Sequence, residues 1–205
     1  GGKCLLRIED IDTTRCTPEF EQGIYEDLRW LGFSWPEPVL RQSDHFGSYA
    51  RIIVSLQEKG VIYRCFKTRK EIAEDIARAP HHPGEGPDGA IYAGPSEPMS
   101  PDEEAERTER GEPYSWRLSI ARCREFLGEE YTRLVVVEEG EGPDGETGEV
   151  PARPELLGDV ILARKDVGAS YHLANTHDDA LQGVTHVIRG QDLFFVSQLH
   201  VLLRR

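Results

Sequence analysis

The sequence predicts an α/β fold, a parallel sheet built from the two ends of the chain, covered by amphipathic helices and split by an inserted α+β subdomain. Three observations predict it. The apolar pair Leu5-Leu6 runs into Arg7-Ile8-Glu9-Asp10-Ile11-Asp12, with Arg15 beyond, so a short strand leads into three carboxylates and two guanidiniums, as where a sheet edge meets a polar ligand. Two stretches with apolar residues at helical spacing follow directly. Strand-like and helical segments then return near the far end, after a long interval rich in Gly, Pro and acids. The expected boundaries are residues 1–64 for the first part of the sheet domain, 65–169 for the insertion and 170–205 for the return.

Thr17-Pro18 opens the first helix, with a hydroxyl cap and a proline at the position where its missing N–H is no loss. Phe20, Ile24, Leu28 and Leu31 recur at helical spacing, and Gly32 closes it. A second helix is expected from Ser43, with Phe46, Tyr49, Ile53 and Leu56 on one face and Gly60 at its end. Trp30, Phe33 and Trp35, between the two, read as core and loop anchors rather than as base-stacking platforms. Residues 61–65 read as a strand, and Thr68-Arg69-Lys70-Glu71 as a capping box opening another helix. Residues 79–94 read as loop, and Ser100-Pro101-Asp102-Glu103 opens a short acidic helix ended by Gly111. Residues 114–121 and 131–137 alternate or run β-branched and are expected as strands. Residues 138–151 hold almost nothing apolar and are expected to be a solvated loop. Residues 158–164 read as a buried strand, 184–188 as the next strand, and Asp192 starts a helix carrying Leu193, Val196, Leu199 and Leu202.

At 205 residues the chain is long enough to bury a proper core. Its net charge of −13 opposes a polyanionic partner, but the excess is local. Residues 97–112 carry seven acids against two Arg, and residues 138–149 carry six acids and no base. The remainder is nearly neutral, so a nucleic-acid partner stays open. No run approaches the roughly 20 apolar residues of a membrane span and no signal peptide opens the chain, so a cytoplasmic protein away from membranes is expected. Cys4, Cys16, Cys65 and Cys123 lack CxxC spacing and read as reduced thiols, mostly buried.

A second motif lies far from the first: Tyr171-His172-Leu173-Ala174, then Asp178-Asp179-Ala180-Leu181-Gln182-Gly183-Val184-Thr185-His186-Val187-Ile188-Arg189-Gly190-Gln191-Asp192. Together the two motifs resemble the catalytic domain of the glutamyl-tRNA synthetase family of class I aminoacyl-tRNA synthetases. Ile11 favours the family's short members, which glutamylate queuosine in tRNA(Asp), because the ordinary glutamyl enzymes usually carry Thr there. The resemblance implies a class I, Rossmann-like parallel sheet. It further implies a ligase that activates L-glutamate with ATP and Mg2+ and hands the glutamyl group to a tRNA, with tRNA(Asp) favoured over tRNA(Glu). A monomer is expected.

On the matching positions, the resemblance makes Glu9, Tyr171 and Arg189 the L-glutamate contacts. A carboxylate suits the substrate ammonium, and the planar fork of Arg suits a carboxylate. An amide in place of that carboxylate would present NH2 to the same donors, which separates glutamate from glutamine. No residue is expected to act as a catalytic acid or base, because the substrate carboxylate is already a nucleophile. His172, His177 and His186 are therefore not expected to be catalytic. Asn175-Thr176-His177, where the family usually continues with valines, is expected to alter a pocket wall or loosen a strand. The family's short members commonly bind zinc in the insertion, and the matching positions look like Cys65, Lys67, Tyr92 and Ser96. With two of three thiolates gone, no zinc is expected, although His81 and His82 lie nearby in sequence. The family's His-Ile-Gly-His-type and Lys-Met-Ser-Lys-Ser-type motifs are not in these 205 residues, so the chain alone is expected to show no ATP–pyrophosphate exchange. The rival expectation is a non-catalytic synthetase-like module that binds tRNA or a protein.

Overall fold

The computed structural model describes residues 3–78, 84–87, 89–95, 98–164 and 166–205. Strand β1 is Arg7–Ile8, and helix α1, Pro18–Trp30, carries the chain to β2, Leu40–Arg41. β1 and β2 pair in parallel, with Arg7 opposite Leu40 and Ile8 opposite Arg41. A parallel pair needs a crossover, and the helix supplies it. A single 3₁₀ turn, Gln42–His45, then leads into α2, Phe46–Glu58.

β3, Ile62–Cys65, is followed by α3, Arg69–Arg78, the short β4, Glu85–Gly86, and β5, Gly89–Ala90, then by α4, Pro101–Glu109. Next come β6, Ser115–Leu118, α5, Ile120–Leu127, the hairpin of β7, Val135–Glu138, and β8, Gly148–Pro151, and then β9, Ile161–Arg164. The order β3-β6-β9 forms an antiparallel sheet, with a register shift between Trp116 and Arg117. The chain closes with α6, Tyr171–Leu181, and α7, Phe194–Leu203. The hydrophobic core joins Tyr49 and Ile53 of α2, Leu118 and Leu162 of the sheet, Leu173 and Ala174 of α6, and Leu199 and Leu202 of α7. It fixes both late helices against the middle of the chain. Gly158, with φ +66°, passes so near that an added Cβ would stand 2.5 Å from the Tyr92 carbonyl oxygen. A side chain is excluded there on both counts.

Two of the three expected side-chain caps form; α1 starts at Pro18 as expected, but Thr17 makes no side-chain cap bond. The Thr68 N–H donates to Glu71 Oε2 at 2.7 Å while the Glu71 N–H donates to Thr68 Oγ1 at 3.3 Å, and Ser100 Oγ accepts from the Glu103 N–H. α3 has no buried residue, so its first turn depends on that box. Thr68→Ala is expected to raise amide exchange in α3 about fivefold, the equivalent of about 1 kcal/mol, with the global unfolding midpoint unchanged in an exchange experiment read by mass spectrometry.

Several expected elements come out differently. The strand beside the charged motif is Arg7–Ile8 rather than Leu5-Leu6, and Leu5 is exposed. The strand over 114–121 stops at Leu118, because Ser119 Oγ accepts from the Arg122 N–H and caps α5. Residues 128–133 form a 3₁₀ turn ahead of β7. The expected solvated loop at 138–151 ends in β8, which pairs with β7 from Val135 opposite Pro151 to Glu138 opposite Gly148. Residues 184–188 form no strand: the Val184 N–H closes the end of α6 on the Asp179 carbonyl, and Val187 and Ile188 project into solvent. Asn175-Thr176-His177 belong to helix α6 and loosen no strand. Trp30 is 85% exposed and Phe33 is exposed, so neither is a core anchor, whereas Trp35 stacks on Tyr25 with 6.0 Å between ring centroids. Cys4 and Cys16 are exposed, Cys65 and Cys123 are buried, and all four thiols are free.

Candidate functional site

The charged motif is organised by Arg7. Its Nη2 donates to Glu9 Oε1 at 3.0 Å, and its Nη1 donates to Asp179 Oδ1 at 2.8 Å and to Gln182 Oε1 at 3.1 Å. One guanidinium therefore ties the exposed Glu9 to the C-terminal half of α6. Burial opposes the Arg7 charge, but Asp179 and Glu9 outweigh it and hold the guanidinium above its ordinary value.

Asp10 ties the same segment to the turn before α2. Its Oδ1 accepts from the Ser43 N–H at 2.9 Å and its Oδ2 from Ser43 Oγ at 2.6 Å, with Arg41 Nη2 at 3.4 Å. Burial pushes this carboxyl up, yet the Ser43 bonds and Arg41 prevail and hold it below the ordinary value. A carboxyl lowered on folding contributes stability that is complete above its unfolded pKa and lost as pH falls through the folded value. Urea unfolding should thus become easier only as pH falls from about 5 through about 3 and below, and Asp10→Asn should make that loss shallower. An identical acid slope in the variant would contradict the assignment.

Beneath the motif runs a buried polar chain. Gln42 Nε2 donates to Asn175 Oδ1 at 2.9 Å and to Asp178 Oδ2 at 3.0 Å, and Tyr49 Oη donates to the same Asp178 oxygen at 2.9 Å. Gln42, Tyr49 and Asp178 are all fully buried. The His177 ring packs edge-on against Tyr49.

Tyr171 is the first residue of α6, capped by Ser170. Its ring centroid lies 5.8 Å from that of His200 on α7 and 5.7 Å from that of His172. Arg189, in the segment between α6 and α7, reaches the same spot: Nη2 is 2.9 Å from His200 Nδ1 and Nη1 is 3.4 Å from Ser197 Oγ. Arg189 makes no ion pair among the described residues, so neither Asp192 nor Asp179 neutralises it. Asp179 belongs to Arg7.

The structure thus brings Tyr171 and Arg189 together through His200. Glu9 is held to the same helix eight residues further on, about 12 Å along its axis. A short zwitterion with an ammonium and a distal carboxylate has opposite charges to meet at the two ends. His186 stands apart, exposed and 3.4 Å from Glu139. Arg7, Gln42, Asp178 and His200 were not singled out as supports from sequence, because no spacing pattern links four single residues on different elements.

The expected zinc positions divide. Cys65 is buried, and burial followed by the nearby Cys65 raises the phenol of Tyr92, so these two are neighbours. Lys67 is ion-paired to Asp75. Ser96, His81 and His82 lie outside the described residues. One thiol, one phenol and an ammonium do not fit zinc, and no group of three or more metal-ligating side chains occurs among the described residues.

Residues 1–204 match the family tRNA synthetases class I (E and Q), catalytic domain. The chain belongs to this family and has the class I catalytic-domain fold of parallel sheet and helices. It is similar to the glutamyl-Q tRNA(Asp) synthetase of Rhodobacter capsulatus, 41% identical over 213 residues that cover 100% of this chain and 70% of that protein. It is also similar to the glutamate–tRNA ligase of Thermus thermophilus, 34% identical, with 100% of this chain and 40% of the ligase covered. Among solved structures, glutamate–tRNA synthetase from Elizabethkingia anophelis superposes with a TM-score of 0.71 at 27% identity, over 99% of this chain and 40% of that one. The chain thus spans about two-fifths of these two ligases.

Proposed function

We propose that the protein containing this chain activates L-glutamate with ATP and Mg2+ and transfers the glutamyl group to queuosine in the anticodon of tRNA(Asp). In the first step the α-carboxylate oxygen of glutamate attacks the α-phosphorus of ATP, forming glutamyl-adenylate and expelling pyrophosphate. This chain binds and orients: Glu9 takes the ammonium with the oxygen that Arg7 leaves free, Arg189 takes the side-chain carboxylate, and Tyr171 offers its hydroxyl beside it. The observation that carries the proposal is an Arg189 held by Ser197 and His200, with no carboxylate neutralising it among the described residues. Such a guanidinium has charge to offer an acidic substrate. Similarity to the Rhodobacter relative and Ile11 favour queuosine as acceptor.

Two other readings remain in competition. Similarity to the Thermus ligase supports charging of tRNA(Glu), and a non-catalytic binding module is the third. The intact protein, given labelled glutamate, ATP and Mg2+, should label tRNA(Asp) only when that tRNA carries queuosine. Label on tRNA(Glu) instead would establish ordinary charging, and no label on either together with no glutamate-dependent ATP–pyrophosphate exchange would leave the binding module. No helix among the described residues is long and apolar enough to cross a membrane. The proposed reaction on tRNA belongs in the cytoplasm, with the protein acting as a monomer.

A further inference from the structure

We propose that His200 is a positioning residue, a neutral acceptor that orients Arg189 without neutralising its charge; this rests on the reading of Arg189 as the glutamate side-chain contact. Arg has only N–H donors, so the 2.9 Å contact makes His200 Nδ1 the bare nitrogen of the ring and leaves the proton on Nε2. The ring is 6% exposed and lies between two others, with His172 at 5.7 Å and Tyr171 at 5.8 Å, which fixes the plane in which Nδ1 points. Burial, Arg189 and His172 together push the imidazole down to about 3, so it stays uncharged through the physiological range. Nε2 has no hydrogen-bond partner among the described residues, so the contact to Arg189 is the polar bond that uses this ring.

The chemistry explains why a neutral partner belongs here. An aspartate or glutamate at this place would orient the guanidinium equally well but would form the ion pair that the substrate carboxylate has to form. The second contact, Ser197 Oγ at 3.4 Å, is neutral too. Arg189 is thus fixed from two sides by groups that leave its positive charge uncompensated.

The test compares His200→Leu, His200→Asn and His200→Asp in the intact protein, by the KM for glutamate and the KM for ATP in pyrophosphate exchange. Asn and Asp both place an oxygen near the position of Nδ1 and differ in charge. His200→Leu should raise the glutamate KM about tenfold, the loss of one hydrogen bond to a charged group, and leave the ATP KM within about twofold. His200→Asn should stay within about threefold of the parent, whereas His200→Asp should raise the glutamate KM about 100-fold at an unchanged melting temperature. A purely structural role would make Asp at least as good as Asn, since Asp holds Arg189 more tightly. The proposal fails if His200→Asp keeps the parental glutamate KM, or if His200→Asn is impaired as much as His200→Asp. An Arg189→Ala variant run alongside separates the two claims: an unchanged KM there overturns the reading of Arg189 itself, while a raised one confines the failure to His200.

Discussion

Asp178→Ala is expected to lower the unfolding free energy by about 3 kcal/mol, the largest effect on stability of any single polar substitution near the site. Asp178 is fully buried, and its Oδ2 accepts from both Gln42 Nε2 and Tyr49 Oη. Truncation leaves two buried donors without that acceptor, each costing about 1–3 kcal/mol, and adds a small cavity. Gln42 keeps its second bond to Asn175, which limits the loss on that side. Asp178→Asn preserves a carbonyl acceptor of the same reach and should lose about half as much. Urea unfolding would show the change as a shift of midpoint at constant slope. A loss below about 1 kcal/mol for the alanine variant would mean that water satisfies the two donors. The consequence extends to the site: this network joins α2 and the Gln42–His45 turn to α6, and α6 carries both Tyr171 and the Asp179 that anchors Arg7.

Arg189→Ala should raise the glutamate KM of the intact protein about 100-fold, which corresponds to about 3 kcal/mol of charge-assisted hydrogen bonding. Arg189→Lys should recover only part of that, because an ammonium is a point charge and cannot match both carboxylate oxygens in parallel. The ratio of glutamate to glutamine use should fall in both variants, since the guanidinium is what leaves an amide's NH2 facing donors. Steady-state kinetics with the two amino acids reads all of this. An alanine variant with an unchanged ratio would place the side-chain carboxylate elsewhere.

The parts of the fold legible in the sequence were those written in local chemistry. Thr17-Pro18, the Thr68/Glu71 box and Ser100 each state a helix start within four residues, and the helices form there. What misled was apolar content without a partner. Residues 184–188 have the composition of a strand, but strands are made by pairing, and this stretch instead closes α6 and exposes Ile188. The helix at Ile120–Leu127 was hidden because Ser119, its cap, follows directly on a true strand. At the proposed site, Tyr171 and Arg189 were singled out by the resemblance of their motif, and in the structure both contact His200. His200 itself was not, because a lone histidine in an apolar helix carries no signal until α7 is packed beside α6. Arg7 stood in view within the charged motif, yet its partner Asp179 is 172 residues away, and only the folded chain joins them.

A crystal structure of the intact protein with L-glutamate bound would show the direction in which the amino acid lies. The side-chain carboxylate should lie on the Arg189 guanidinium, the ammonium on the Glu9 oxygen not held by Arg7, and the Tyr171 hydroxyl within hydrogen-bond distance of the ligand. Glutamate bound in the reverse direction, or away from Arg189 altogether, would contradict this placement.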